Sequence, residues 1–237
     1  MNDETRHEGG EKAVLAASIA ASLRHAAALR RAAALEPRIG AVRDLLRSWQ
    51  AARLAASYPD LLADGRYAPA AGFFLNDLYG PKDFSERDRE VERILPLLVK
   101  GLPTSGLQTL ALAVELDALS EDLDAALTAA MMRRKTRTLD DARYAALYRE
   151  VGRRADRLRQ IQLIRETGEA LERLARKPLV ASALRLMHGP AHLAGLGELH
   201  DFLERGFFAF RHMGSAADFL ERIDTEERRL MRLWLGA

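Results

Sequence analysis

The chain predicts an all-α fold, a single-domain helical bundle of about eight helices with a long antiparallel helix pair, and three observations carry that expectation. Apolar residues recur at helical spacing in almost every segment, as Val14, Leu15, Ile19 and Leu23 do near the start. Proline and glycine fall mostly between those segments. At 237 residues with 48% hydrophobic composition, the chain has ample material for one core.

In order, residues 1–10 are polar with Gly9-Gly10 and read as a flexible tail, leaving 11–237 as the helical domain. Glu11 to Ala34 is alanine-rich and predicts a long helix with Arg24, Arg30 and Arg31 on its wet side. Pro37 suits the first turn of a second helix reaching Ser57, striped by Val42, Leu45, Leu46, Trp49 and Leu54. Residues 58–69, with Pro59, Gly65 and Pro69, form a loose connection holding one short helix at Asp60 to Ala63.

The next stretch is the most individual. From Phe73 to Asp88 one helix ends at Gly80-Pro81 and another begins, with Asp83 or Ser85 as cap. Asn76, Asp77, Tyr79, Asp83, Arg87 and Asp88 supply more hydrogen-bonding groups than a turn needs. They read as a polar latch that fixes the helix angle, or as a ligand site. Arg87 and Lys82 beside the carboxylates argue for neutralised pairs rather than acid-base catalysis.

The run FFLNDLYGPKDFSERD resembles the signature of a family of uncharacterised bacterial all-helical proteins in which FF-x-x-D-L-Y-G-P-x-D-F-x-x-R-D recurs. GLGELHDFLERGFFAF, from Gly195 to Phe210, is similar more weakly. The resemblance implies a helical fold and carries no activity and no site residues.

Beyond the corner, Ser85 to Lys100 predicts a helix bent by Pro96. Thr104 caps a helix to about Arg134, and Thr138 with Asp141 starts a companion that continues to Pro178 unless Gly152 or Gly168 bends it. Residues 104–132 carry five acidic residues and no Lys or Arg, whereas residues 133–159 carry ten basic and four acidic ones. That complementarity predicts antiparallel packing, with Asp117 to Asp124 beside Arg149 to Arg157. It also accounts for the basic run internally, and with a net charge of only +2 it argues against nucleic-acid binding despite a pI near 9.0.

Gly189-Pro190 is expected to break a short helix begun near Pro178. Leu193 to Phe210 then forms a helix stopped by Gly214, Ser215 with Asp218 caps another, and Thr225 to Leu235 closes the chain.

Three functions compete. Phe202, Phe207, Phe208 and Phe210 crowd one short stretch and lead to a non-enzymatic interaction protein, self-associating as a homo-oligomer or docking a protein partner. His188, His192, His200 and His212 support the alternative, a haem- or metal-dependent enzyme, although the expected break at Gly189-Pro190 would misalign His188 and His192. A carrier of a small apolar ligand, with its pocket between the corner and the C-terminal helices, is the third. The primary reading therefore needs no cofactor, with haem or a divalent metal left open. Motifs of phosphate-binding loops, nucleophile elbows and His-Glu-x-x-His metalloproteases are absent from the sequence. Without cysteine there are no disulfides or thiolate ligands, and a reducing cytoplasm is the expected setting. No apolar run is long enough to span a membrane.

Overall fold

Alanine, the strongest helix former, lets the first helix run unbroken from Asn2 to Leu35, straight through Gly9-Gly10. Within the segment expected as a tail, residues 2–10 are helical and belong to α1 (Asn2–Leu35). The computed structural model describes residues 2–78 and 85–236, with side chains from residue 8 onward except those of 76, 78 and 85.

Following α1 are α2 (Pro37–Ser57), α3 (Pro59–Ala63), α4 (Ala68–Phe73) and a π-helical turn at Phe74–Leu78. Next come α5 (Ser85–Gly101), α6 (Thr104–Arg133), α7 (Asp141–Val151) and α8 (Arg154–Ala175). The chain ends with α9 (Pro178–Leu193), α10 (Gly197–Met213) and α11 (Ala217–Leu235). The described residues therefore hold eleven α-helices, not about eight. The short helix expected at Asp60 to Ala63 is present as α3, and the count rises through α4, which takes up the end of the Pro/Gly-rich connection, and through a break in the long companion helix.

That break lies at Gly152 and Arg153, whose φ values of 64° and 56° put two consecutive residues outside the right-handed helical region. Glycine adopts this without a side-chain clash, and Arg153 is held there by bonds to Asp156 and Asp122, each 2.6 Å. Gly168, the other expected bend, lies within α8.

Charge pairing across α6 and α8 follows an antiparallel order: Arg153 meets Asp122, and Arg159 meets Glu115 at 2.9 Å. Yet the most extensive helix contact in the bundle is between α6 and α1. These two run parallel, since Gln108 reaches Glu11 at 2.8 Å near their starts and Arg30 reaches Glu121 at 3.2 Å much further along both. Alanine on α1 allows that approach, which the alternation of charge did not register.

Three apolar clusters make the core. One joins α4, α8, α10 and α11 around Phe73, Leu163, Phe210 and Phe219. A second joins α2, α6, α7 and α11 around Leu46, Leu127, Tyr144 and Trp234. The third joins α1, α5, α6 and the start of α10 around Ile19, Val91, Leu107 and Leu199. No described helix is long and apolar enough to cross a membrane.

Candidate metal centre

Two local rules compete at Gly189-Pro190. Proline removes one backbone donor and crowds the carbonyl four residues earlier, which normally stops a helix. In this chain α9 continues through both residues to Leu193. The face concerned is wet, with Leu186, the residue four before Pro190, 78% exposed, so solvent can serve the carbonyl that proline leaves without a donor. The expected helix break is thereby corrected. His188 and His192, one turn apart, share a face with ring centroids 4.7 Å apart.

A tight reversal then brings α10 back against α9. Gly195, at φ 67°, donates to the His192 carbonyl at 3.0 Å, and Leu196 donates to the Ala191 carbonyl at 2.9 Å, the paired bonds of a glycine-closed helix end. α5 fixes the reversal from outside: the Arg93 guanidinium donates to the carbonyls of Ala194, at 3.1 Å, and Gly195. The buried Glu90 carboxylate accepts from the Leu199 amide at 2.7 Å, filling an otherwise unserved position in the first turn of α10. Gly197 leaves room for an imidazole, because a Cβ there would lie 2.8 Å from His192 Nδ1.

The result is a cluster of five side chains on two facing helices. His188 Nδ1 lies 3.3 Å from Glu204 Oε2, and His192 Nε2 lies 2.8 Å from Asp201 Oδ1. The His200 ring centroid is 5.3 Å from that of His188. His200 is 5% exposed, yet its Nε2 has no hydrogen-bond partner, and the nearest carboxylate oxygen, on Glu204, is 3.9 Å away. Two three-ligand sets have donor atoms all within 4.8 Å of one another: His188, His200 and Glu204, and His188, His192 and Asp201. Tetrahedral ligation at about 2.1 Å requires donors roughly 3.4 Å apart, so small side-chain shifts suffice for either set. Imidazole nitrogen with carboxylate oxygen suits a borderline divalent cation.

Sequence reasoning singled out His188, His192 and His200 but missed Asp201 and Glu204. The missing signal was present: His200-x-x-x-Glu204 has the same one-turn spacing as His188-x-x-x-His192. His212 stands apart, with its Nε2 2.9 Å from the Gly65 carbonyl. The leading expectation, an interaction protein without enzymatic chemistry, is corrected by this cluster, since it makes metal coordination the better supported reading. The helix break assumed at Pro190 had hidden it. As for the phenylalanines, Phe207 and Phe210 are buried in the core, while Phe202 and Phe208 are half-buried and pack against the same cluster. Phe202 lies 5.2 Å from Phe73 and under Arg87, and Phe208 lies under Arg185.

The corner residues divide between two places. Asp88 is buried between Arg30 of α1 and Arg87, the latter 3.1 Å away, and Arg87 also reaches Asp117 at 3.4 Å. Around them Arg30 binds Asp117 at 2.7 Å as well as Glu121, which also accepts from Arg43 and Arg47 of α2. Burial opposes the Arg30 charge, but Asp117, Glu121 and Asp88 outweigh it and raise its pKa further. For Asp88, burial comes first and Asp117 second in pushing the carboxyl upward, against the two arginines. Asp77 does not join this network; it is buried and accepts from Arg205 of α10 at 2.8 Å. The side chains of Asn76, Tyr79 and Asp83, with the Gly80-Pro81 turn, lie outside the described residues.

The chain belongs to a family described as a domain of unknown function (DUF8198), whose pattern it matches over residues 29–235. No curated protein and no solved structure matches it.

Proposed function

We propose that this protein is a metal-dependent enzyme whose ion is held between α9 and α10 by His188, His200 and Glu204, with the His192–Asp201 pair at its edge. One observation carries the reading: a buried imidazole nitrogen, His200 Nε2, faces a histidine and a glutamate without a hydrogen bond of its own. Leaving such a group unserved costs about 1–3 kcal/mol, and a bound cation would relieve it. Two imidazoles and one carboxylate also leave coordination positions open, the arrangement of catalytic rather than structural sites. With the ion bound, the site gains a Lewis acid that makes water a nucleophile near neutral pH. Half-exposed His188 and His192 keep the cluster open to solvent and to a substrate. Glu204, as the carboxylate ligand, balances part of the ion's charge, and Asp201 fixes the His192 ring at the edge of the site.

The full chain, stripped with a chelator, should bind one Zn2+ or Co2+ in a calorimetric titration, with affinity at least about tenfold weaker in H200A and E204A and unchanged in H212A. Azide should alter the visible spectrum of the Co2+ form, because an open position exchanges ligands. Equal affinity in wild type and H200A would end the assignment of the ion to His188, His200 and Glu204. A Co2+ spectrum indifferent to azide would mean a closed site and end the enzyme reading alone.

A further inference from the structure

In the basic run of α8, Arg157 is buried without an ion pair to its acidic neighbours. Arg153 and Arg159 reach Asp122 and Glu115, but Arg157 turns inward and is 4% exposed, with no partner for its Nε or Nη2. Its guanidinium lies 4.4 Å from the centre of the Tyr148 ring, a contact that offers attraction but no hydrogen-bond acceptor. Buried guanidinium nitrogens without an acceptor are unfavourable, and an anion placed on the Nε and Nη2 edge would relieve them.

Arg157 is in the wall of a cavity of about 120 Å³ lined by α2, α3, α4, the π-helical turn, α6, α7, α8 and α11, with none of the clustered histidines among the lining residues. The carboxylates on its wall already have cationic or hydrogen-bonding partners. Glu121 is served by Arg30, Arg43 and Arg47, and Asp117 by Arg30 and Arg87. Asp124 accepts from Gln50 at 3.0 Å, and Glu227 accepts from Arg53 at 2.5 Å and from the Tyr58 hydroxyl at 2.7 Å. Burial raises the pKa of Tyr144 and Tyr148, which keeps both phenols neutral. The lining also has an apolar part that includes Phe74, Ile164, Phe219 and Ile223. One water needs about 10–15 Å³ on this scale, so the space is that of a small organic molecule.

We propose that this cavity binds a small monocarboxylic acid with an apolar body, its carboxylate forked on Arg157 and its body against Phe219, Ile164 and Phe74. A planar guanidinium pairs best with a planar carboxylate in a two-bond fork. One guanidinium edge without an acceptor suits a monoanion, the more so because Arg157 already offsets part of the Asp124 charge; a phosphate dianion would bring more negative charge than the wall can balance.

The test uses the full-length protein with phenylacetate and hexanoate as probes, their neutral amides as controls, and inorganic phosphate as the competing anion. Saturable one-to-one binding of at least one carboxylate is expected, raising the melting temperature by about 5 °C at a hundredfold excess over Kd. Each amide should bind at least about tenfold more weakly. Arg157→Met should remain folded, melt no lower than wild type without probe, and show no shift with it. Arg157→Lys, which keeps the charge without the fork, should bind more weakly than wild type. Absence of saturable carboxylate binding, equal binding by Arg157→Met, or preference for phosphate would each overturn the proposal. So would an Arg157→Met variant that melts well below wild type without probe, because the guanidinium would then be part of the scaffold.

Discussion

Two polar assemblies sit against the same core and differ in one respect. Between α1, α2, α5 and α6, Asp88, Asp117 and Glu121 are each met by arginine, with Arg30 shared among all three. Between α9 and α10, His200 is as buried as Arg30, both 5% exposed, yet its Nε2 is unserved. Burial alone therefore does not distinguish the two assemblies; the presence of hydrogen-bond partners does. A closed network holds helices in place and has nothing left to offer a ligand, whereas an orphaned donor or acceptor does.

The largest effect should come from opening the closed network. Arg30→Met leaves three carboxylates short of a partner and is expected to cost about 3–5 kcal/mol in urea unfolding. A loss below about 1 kcal/mol would remove the contrast, since the network would then not be holding the fold. Next in size is the opposite experiment on the histidine side. His200→Leu should leave the metal-free protein within about 1 kcal/mol of wild type, because the lost group had no partner. It should also abolish the roughly 2.7 kcal/mol of stabilisation that a hundredfold excess of Zn2+ over Kd gives wild type. Thermal melts with and without Zn2+ read both, and a Zn2+ gain preserved in the variant would count against the centre.

A smaller effect distinguishes the two ligand sets. Gly197→Ala puts a Cβ 2.8 Å from His192 Nδ1, and the half-exposed imidazole can swing away at little cost. Stability should change by less than about 1 kcal/mol, and metal affinity should hold if the ion sits on His188, His200 and Glu204. A tenfold or greater fall in affinity would instead assign it to His188, His192 and Asp201.

The smallest effect is a pH dependence on the paired side. Burial raises the Asp124 pKa, with Arg47 and Gln50 opposing, so the folded chain holds this proton more tightly than the unfolded chain. The contribution is fully present below the unfolded value of about 3.9 and is lost as pH rises through the raised folded value. The stability of wild type relative to Asp124→Asn should therefore decline as pH rises from that point, measured by urea unfolding across the range. A difference that grows with pH would mean that the arginines dominate burial there.

The sequence by itself determined the helical class and placed most boundaries, because the spacing of Leu, Val and Ile and the punctuation by Pro37, Pro59, Gly101-Leu102-Pro103 and Gly214 act within a few residues. It also supplied the acidic and basic runs from which Arg153–Asp122 and Arg159–Glu115 form. Only the tertiary structure decided which exceptions to local rules survive. A helix through Pro190 persists where its freed carbonyl faces water, and the companion helix breaks at Gly152 where Asp122, on another helix, rewards Arg153 for the turn. The parallel seating of α1 on α6 was equally beyond reach, since alanine favours close approach without naming a partner. The candidate centre depends on all of this. His188 and His200 lie twelve residues apart in the chain, and what makes them neighbours is a reversal at Gly195 clasped by Arg93 and Glu90 from α5, about a hundred residues away in the chain. Spacing within one helix can be read along a sequence, but the meeting of two helices depends on the packing of every element around them.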